Sequence, residues 1–137
     1  MSEDQLYSCL ATRRWARAVA GGEDPDQAMD ALSEEEWLEA MKAHPRIGER
    51  GGADSTREQS RALEAPSTTL AELAAENRRY EERFGHVFLI FASGRTAGEI
   101  LAELRRRMAN DPATELEESK RELRKIAHLR LERLRAS

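Results

Sequence analysis

The sequence predicts an all-α fold, a single-domain bundle of about seven helices over residues 1–137. Three observations support this prediction: the length of 137 residues suits one domain, helix-capping patterns recur along the chain, and no apolar run has the partner that a sheet would need. With 35% charged and 39% apolar residues, the composition is polar but sufficient for one core.

Seven segments have the residue pattern of helices. Four of them begin with a capping box, in which a Ser or Thr and a Glu three residues later bond the free N–H groups of a helix start. These boxes begin at Ser33, Ser55, Thr69 and Thr96. Gly21, Pro45 and Gly85 mark three of the helix ends. In chain order, the predicted helices cover residues 4–20, 26–32, 33–44, 55–65, 69–84, 96–109 and 113–135.

Apolar positions indicate which helix faces are buried. Leu10 and Trp15 are candidate core residues of the first helix. Asn77 faces inward on the fifth helix, where we expect it to hydrogen-bond a loop. Residues 87–91 form an apolar run without a partner strand, so we predict a buried segment outside any sheet. The apolar stripe of the last helix consists of Leu116, Leu123, Ile126, Ala127 and Leu134.

Charge and cysteine content exclude several classes of protein. The net charge is −4, and the Arg-rich final third carries Glu throughout, which favours a solvated helix face over a nucleic-acid surface. No apolar run approaches the roughly 20 residues of a membrane span. The single cysteine, Cys9, excludes an internal disulfide, and the first ten residues have acids where a signal peptide has basic residues. The sequence therefore predicts a cytoplasmic protein without nucleic-acid or membrane partners.

Residues 44–48, His-Pro-Arg-Ile-Gly, are the first place where polar residues interrupt the packing pattern. A histidine at a helix end, followed by a proline and a glycine loop, is held where binding groups tend to lie. Histidine exchanges a proton near neutral pH, which suits a general acid or base. The alternative is a histidine that stabilises the helix C-terminus through the dipole.

Two further places have the same ambiguity. Ser55 to Gln59 has the pattern of a capping box, but Gln59 and the nearness of the His44 loop make it a candidate binding turn. Arg130 lies on the apolar stripe of the last helix, where a guanidinium needs a partner. That partner is a substrate carboxylate or ureido oxygen if Arg130 binds substrate, or a core carboxylate if its role is structural.

Short fragments spread over most of the chain are specific when their order and spacing are taken together. They are Arg14-Trp15, His44 to Gly48, Ser55 with Glu58-Gln59, Asn77-x-x-Tyr80, Phe84-Gly85-x-x-Phe88, Gly94-Arg95, Arg107-x-x-Asn110, Glu115-Leu116 and Ile126-Ala127-x-Leu129-Arg130-Leu131. This set resembles the OHCU decarboxylase family of carboxy-lyases. The resemblance implies conversion of 2-oxo-4-hydroxy-4-carboxy-5-ureidoimidazoline (OHCU) to (S)-allantoin in the degradation of urate.

The resemblance also implies site residues and partners. His44 would be the catalytic acid/base and Glu58 its essential acidic partner, and the enzyme would be a homodimer that needs no cofactor. No histidine pair has the spacing of a metal site, so we predict no metal. The small-molecule substrate, a ureidoimidazoline acid, would be bound by Pro45, Ser55, Gln59, Arg130 and the backbone of Phe88, Leu89, Ile90, Phe91 and Ala92.

Two alternatives stay open on sequence alone. The chain could be a helical interaction domain without enzymatic activity, which would tolerate the removal of His44 and Glu58. It could also be a related enzyme for another ureido or imidazoline acid, since the pocket chemistry would be similar.

Overall fold

The computed structural model describes residues 1–48 and 53–136, and within these ranges it contains α-helices and no β-strand. This confirms the all-α prediction, although nine helices are found there where about seven were predicted. The helices are α1 Glu3–Cys9, α2 Arg13–Ala20, α3 Pro25–Asp30, α4 Glu34–Met41, α5 Ala53–Glu58, α6 Ser60–Leu63, α7 Ser67–Phe84, α8 Ala97–Arg107 and α9 Pro112–Ala136.

The chain is organised as two compact units. One consists of residues 1–43 together with the residues from 123 onward, and the other of residues 44–122. Helix α9 begins in the second unit and ends in the first, so the first unit combines both ends of the chain. The single domain over residues 1–137 stays a prediction.

The predicted helix over residues 4–20 is wrong in one respect, because it is divided into α1 and α2. Leu10 and Thr12 have extended backbones, with φ of −146° and −135°. The Thr12 hydroxyl accepts a hydrogen bond from the Trp15 N–H at 3.4 Å, which gives α2 its own N-cap. One helix therefore ends at Leu10 and the next starts at Thr12, without any Gly or Pro between them.

Two of the four predicted capping boxes are confirmed. Ser33 and Thr96 cap α4 and α8 as predicted. Those at Ser55 and Thr69 are wrong, since Ser55 lies inside α5 and α7 begins at Ser67, directly after Pro66. The Ser-x-x-Glu pattern caps a helix only where its serine or threonine is extended, and here an earlier helix start makes both residues helical.

The first unit joins α3 to the end of α9 by ion pairs. Arg124 donates to the Asp30 carboxylate at 2.6 Å, and His128 Nε2 lies 2.8 Å from Asp26 Oδ1. Within the same unit, α1 packs against α2 and α2 against α3. Residues that are about a hundred positions apart in the sequence are thus neighbours in this unit.

The second unit has its own apolar core, in which α7 and α6 pack against α8. Gly85 ends α7 in the left-handed conformation, with φ of 80°. The segment after it, residues 88–92, is outside any helix, and all of it is buried except the half-buried Phe91. Of the predicted run, residues 87–91, Phe88 to Ile90 are buried and Val87 and Phe91 are half-buried, and none of them lies in a helix or a strand, which confirms the predicted segment outside any sheet. The core residues are Ile47, Ala62, Leu73, Tyr80, Phe88, Ile90, Ala92, Ala97, Ile100, Leu101 and Leu104.

The predicted apolar stripe of α9 is correct only for its central part. Leu123, Ile126 and Ala127 are buried, but Leu116 and Leu134 are only half-buried. In the first turns of α9 the fully buried residues are polar, because Glu115 and Ser119 face inward. A polar cluster thus continues the apolar stripe.

Candidate functional site

The segment after α4 carries His44 and Pro45, which are both half-buried. It is anchored to α7 by Asn77, whose side-chain amide donates to the Ile47 carbonyl at 2.8 Å. Asn77 is only 2% exposed, so this hydrogen bond satisfies a buried polar group. The prediction that Asn77 bonds a loop is confirmed.

A second hydrogen bond joins this segment to the turn between α5 and α6. The Gly48 N–H donates to Gln59 Oε1 at 2.9 Å, and Gly48 has a φ of 94°, a region that glycine tolerates best. Gln59 separates the two helices and is 4% exposed, while Glu58, the last residue of α5, is 7% exposed. The structure thus brings the segment that begins at His44 to the turn that carries Glu58.

Three predicted site residues, one in the segment after α4 and two in α5, interact with other groups. His44, Ser55 and Glu58 each take part in an interaction. For Glu58 this is expected, because a buried carboxylate without a partner is very unfavourable. Ser55 is half-buried inside α5, three residues before Glu58, so both side chains point from the same helix face.

The predicted backbone segment, residues 88–92, lies in the same unit as His44 and Glu58. Three charged side chains bond its backbone. Arg107 Nη1 donates to the Leu89 carbonyl at 2.6 Å, and Arg95 Nε donates to the Phe91 carbonyl at 3.0 Å. The Phe91 N–H in turn donates to Glu122 Oε1 at 3.0 Å. Side chains therefore replace the helix or sheet bonds that this segment lacks.

Arg130 belongs to the first unit, unlike the other predicted site residues. Its side chain is half-buried, and its Nη1 donates to the Ser8 carbonyl at 3.1 Å. This bond gives the guanidinium a structural partner. The binding of substrate by Arg130 stays a prediction.

A pocket of about 330 Å³ lies beside the His44 segment, on its α7 side. Arg46, whose Nε donates to Glu81 at 2.8 Å, and Arg78 are its charged residues. His44 and Glu58 are absent from the described residues that line this pocket, and we therefore do not identify it with the predicted catalytic site. Its other lining residues are Ile47, Gly48, Leu70, Ala74 and Asn77.

Sequence reasoning missed the most heavily buried polar cluster of the second unit. Arg107 is 2% exposed and forms a bidentate pair with Glu115, whose carboxylate also accepts from the hydroxyl of Tyr80. The Arg107 guanidinium also donates to the Ser119 hydroxyl at 3.1 Å. A sequence signal exists, since Glu115, Ser119 and Leu123 follow one another at four-residue spacing and so share one helix face.

Opposing effects set the pKa of the Arg107 guanidinium. Burial favours its neutral form, but the hydrogen bonds and the charge of Glu115 outweigh burial and raise the pKa of Arg107. Burial first, and the bond to Glu115 second, also raise the pKa of the Tyr80 phenol well above its ordinary value. Arg107 is therefore a permanent buried cation, and Tyr80 a neutral donor.

Residues 1–48 and 53–136 contain neither a metal-binding cluster nor a membrane-spanning helix. No group of three or more His, Cys, Asp or Glu residues in these ranges could hold a metal ion. None of the helices there is both long and apolar enough to cross a membrane. The absence of a metal and of a cofactor from the reaction stays a prediction.

Comparison with known proteins identifies relatives along almost the whole chain. The family model for OHCU decarboxylase matches residues 3–132. The "Uric acid degradation bifunctional protein TTL" of Arabidopsis thaliana is 42% identical over 72% of this chain. The 2-oxo-4-hydroxy-4-carboxy-5-ureidoimidazoline decarboxylase of Haloferax volcanii is 31% identical over 77% of it. These matches cover 33% of the Arabidopsis protein and 65% of the Haloferax protein, so the chain spans only part of either relative.

A solved structure gives the same result over the full fold. The crystal structure of OHCU decarboxylase in the presence of (S)-allantoin superimposes with a TM-score of 0.86 and 32% sequence identity. The match covers 98% of this chain and 99% of that one. Together with the family match over residues 3–132, this shows that the chain belongs to the OHCU decarboxylase family.

Proposed function

We propose that this chain is a carboxy-lyase that decarboxylates OHCU to (S)-allantoin in the degradation of urate, without a cofactor. The names of its relatives support this proposal, because they refer to OHCU decarboxylase and to uric acid degradation. The solved relative of the same fold was crystallised in the presence of (S)-allantoin, the product that we propose here.

The reaction needs an acid and a base more than it needs an electron carrier. In OHCU one ring carbon carries both a hydroxyl and a carboxylate, next to a carbon–nitrogen double bond. When the bond to the carboxylate breaks, carbon dioxide leaves, and the electron pair forms a double bond to the neighbouring ring carbon while the ring nitrogen takes a proton. The resulting enol then loses its hydroxyl proton as the neighbouring carbon gains one on a single face, which sets the S configuration.

In this proposal, His44 exchanges the proton on the hydroxyl side, and Glu58 orients or relays it. The observation that carries the assignment is the hydrogen bond from the Gly48 N–H to Gln59 Oε1 at 2.9 Å. This bond ties the segment that begins at His44 to the turn that carries Glu58. It therefore supports one site that contains both groups.

The remaining predicted residues have binding roles in the same proposal. Pro45 and the Ser55 to Gln59 turn line the pocket, and Arg130 holds a carboxylate or carbonyl oxygen of the substrate through its planar fork. The non-helical segment contributes backbone groups that are not already bonded by side chains. That segment consists of Phe88, Leu89, Ile90, Phe91 and Ala92.

The first test follows freshly generated OHCU by circular dichroism, because uncatalysed decay gives racemic allantoin. We expect the protein to accelerate the formation of (S)-allantoin. His44→Ala and Glu58→Gln should each reduce the rate about 100- to 10,000-fold, the usual contribution of general acid–base catalysis, while they stay folded.

Two matched variants control for the loss of a histidine and of a carboxylate. His128→Ala removes a surface histidine that pairs with Asp26, and Glu64→Gln neutralises an exposed carboxylate at the end of α6. Both should keep full activity. A folded His44→Ala protein that still makes (S)-allantoin at the wild-type rate would refute the assignment of the site.

If the wild-type protein does not accelerate the reaction, assays with other ureido and imidazoline acids distinguish the two alternatives, a related enzyme and a helical interaction domain. Turnover of another ureido or imidazoline acid, again lost in His44→Ala, would indicate a related enzyme with a different substrate. No turnover of any such acid would favour a helical interaction domain.

We also propose a cytoplasmic homodimer. The support for the dimer is the family resemblance, and the support for the cytoplasm is the single buried thiol of Cys9, which suits a reducing compartment. Sedimentation of the purified protein tests the dimer, and fluorescent tagging in the source cell tests the cytoplasmic location.

A further inference from the structure

Residues 88–92 form an unusual element, because they are buried but bonded mainly by side chains. A helix or a strand fixes its own backbone, whereas an irregular buried segment depends on its neighbours. Here Arg107 bonds the Leu89 carbonyl and Glu122 bonds the Phe91 N–H, at 2.6 and 3.0 Å. The position of this segment is therefore set by side chains of α8 and α9.

Arg107 holds the segment at two adjacent residues. Besides its bond to the Leu89 carbonyl, its guanidinium carbon lies 4.5 Å from the centroid of the Phe88 ring. The same ring also contacts Tyr80, in an edge-to-face arrangement with centroids 5.2 Å apart. Phe88 and Leu89 are each at most 3% exposed, so neither residue can shift without disturbing the core.

The guanidinium itself is fixed by α9. Its Nε and Nη2 donate to the two oxygens of Glu115, and Nη2 also donates to Ser119. Asn110 Nδ2 donates to the same carboxylate at 3.1 Å. Because the pair with Glu115 is bidentate and Nη1 donates to the Leu89 carbonyl, the guanidinium has little freedom to change its orientation.

Stability alone is a weak reason for such a cluster. A buried ion pair stabilises a fold little more than a well-packed apolar pair of similar volume, and often less. What an ion pair does better is to fix direction, since a fork of N–H groups specifies where each acceptor must lie. Here the guanidinium of Arg107 donates to the backbone of residues 88–92, so it is this backbone whose direction the ion pair fixes.

We propose that Arg107 and Glu122 are positioning residues, which hold the backbone of residues 88–92 in the conformation that receives the substrate. This inference rests on the proposed function, in which that segment contributes backbone groups to the pocket. Neither side chain touches the substrate in this proposal. Both act through the peptide groups of Leu89 and Phe91.

The test combines steady-state kinetics on OHCU with amide hydrogen exchange of residues 86–93. Arg107→Lys keeps the charge but cannot bond Glu115 and the Leu89 carbonyl in the same geometry. Glu122→Ala removes the acceptor of the Phe91 N–H at a half-buried position, where loss of the fold is not expected. We expect about 10-fold faster exchange in the segment and a KM raised about 3- to 10-fold, with kcat changed less than about 2-fold.

Tyr80→Phe is the matched control. It removes the hydroxyl that bonds Glu115 but leaves the contacts of Arg107 with the segment in place. This variant should unfold at a lower urea concentration while its KM stays at the wild-type value. A purely structural role would instead make KM follow stability in all three variants.

The outcomes separate the two proposals. An inactive wild-type protein would contradict the proposed function. An active wild type, with unchanged KM and unchanged exchange in both Glu122→Ala and Arg107→Lys, would contradict the positioning role alone. Faster exchange without any change of KM would also overturn it. If Arg107→Lys does not fold, the Glu122→Ala variant decides the question by the same two measurements.

Discussion

Carboxylates in the first turns of two helices make the stability of this fold depend on pH. The Ser33 N–H donates to Glu36 and the Thr96 N–H donates to Glu99, both at 2.9 Å. These backbone bonds favour the ionised carboxylates, so they lower the pKa of Glu36 and the pKa of Glu99 below their ordinary values. In the unfolded chain, where the bonds are absent, each group titrates at about pH 4.3.

The lowered pKa values predict the sign of an acid effect. A group with a lower pKa in the folded state stabilises the fold above its unfolded pKa, and this contribution disappears as the pH falls through the folded pKa. We therefore expect the free energy of unfolding to fall between about pH 6 and pH 3. Urea titrations in this range should show a shallower dependence in the double variant Glu36→Gln and Glu99→Gln. An unchanged slope would show that other groups cause the acid effect.

Some individual residues of the candidate site were predictable from the sequence, and others were not. The chemical character of His44 followed from its residue type and from Pro45 beside it, which are local properties. That Gln59 would bond the Gly48 N–H did not follow, because this contact depends on how two segments eleven residues apart approach each other. Arg107 escaped prediction for a related reason. It stands in a run of three arginines, and only the buried partner Glu115 distinguishes it from its exposed neighbours.

Two glycines near helix ends, Gly85 and Gly98, affect the stability of their helices in different ways. Gly85 ends α7 with a φ of 80°, in a conformation that side chains rarely adopt. Gly98 lies in the first turn of α8, and a Cβ there would meet nothing closer than the Thr96 hydroxyl at 4.0 Å. The same substitution should therefore have opposite effects at the two positions.

We expect Gly85→Ala to destabilise the protein by about 1 kcal/mol, because alanine is strained in the left-handed region. Gly98→Ala should stabilise it by about 0.4 to 1 kcal/mol, since alanine loses less backbone entropy on folding. Thermal unfolding of the two variants beside the wild type measures both effects. Destabilisation by Gly98→Ala would indicate that the start of α8 needs the flexibility of glycine.

Among the elements, most helix ends with a local signal were predicted, apart from the capping boxes at Ser55 and Thr69, and those with long-range causes were not. The ends at Gly21 and Gly85 and the caps at Ser33 and Thr96 are encoded within four residues. The separation of α1 from α2 is different. Thr12 is compatible with a helix interior, and it becomes a cap only because the chain turns there to pack α1 against α2.

At the scale of the whole molecule, the composition of the surface constrains the proposed homodimer. Among the residues that the structure describes, Met1 is the only large hydrophobic side chain that is exposed. Obligate dimers usually join through apolar surfaces, whereas exchangeable ones use more polar surfaces. A dimer of this chain would therefore be held largely by polar and charged groups.

We accordingly expect a particle of twice the monomer mass of 15.5 kDa that dissociates on dilution and in high salt. Analytical ultracentrifugation over a range of protein and salt concentrations measures this behaviour. A monomer at every concentration would contradict the dimer. A dimer that resists both dilution and salt would contradict the polar interface.

The two ends of the chain meet in one unit, and this arrangement constrains the order of events during synthesis. Residues 1–43 leave the ribosome before residues 44–122, yet Asp26 and Asp30 bond His128 and Arg124, which are made about a hundred residues later. At about 5 to 20 residues per second, the wait lasts for seconds. Residues 44–122 are continuous and are complete before that wait is over. A nascent chain that stalls before residue 123 would thus expose N-terminal helices whose charged partners have not yet been made.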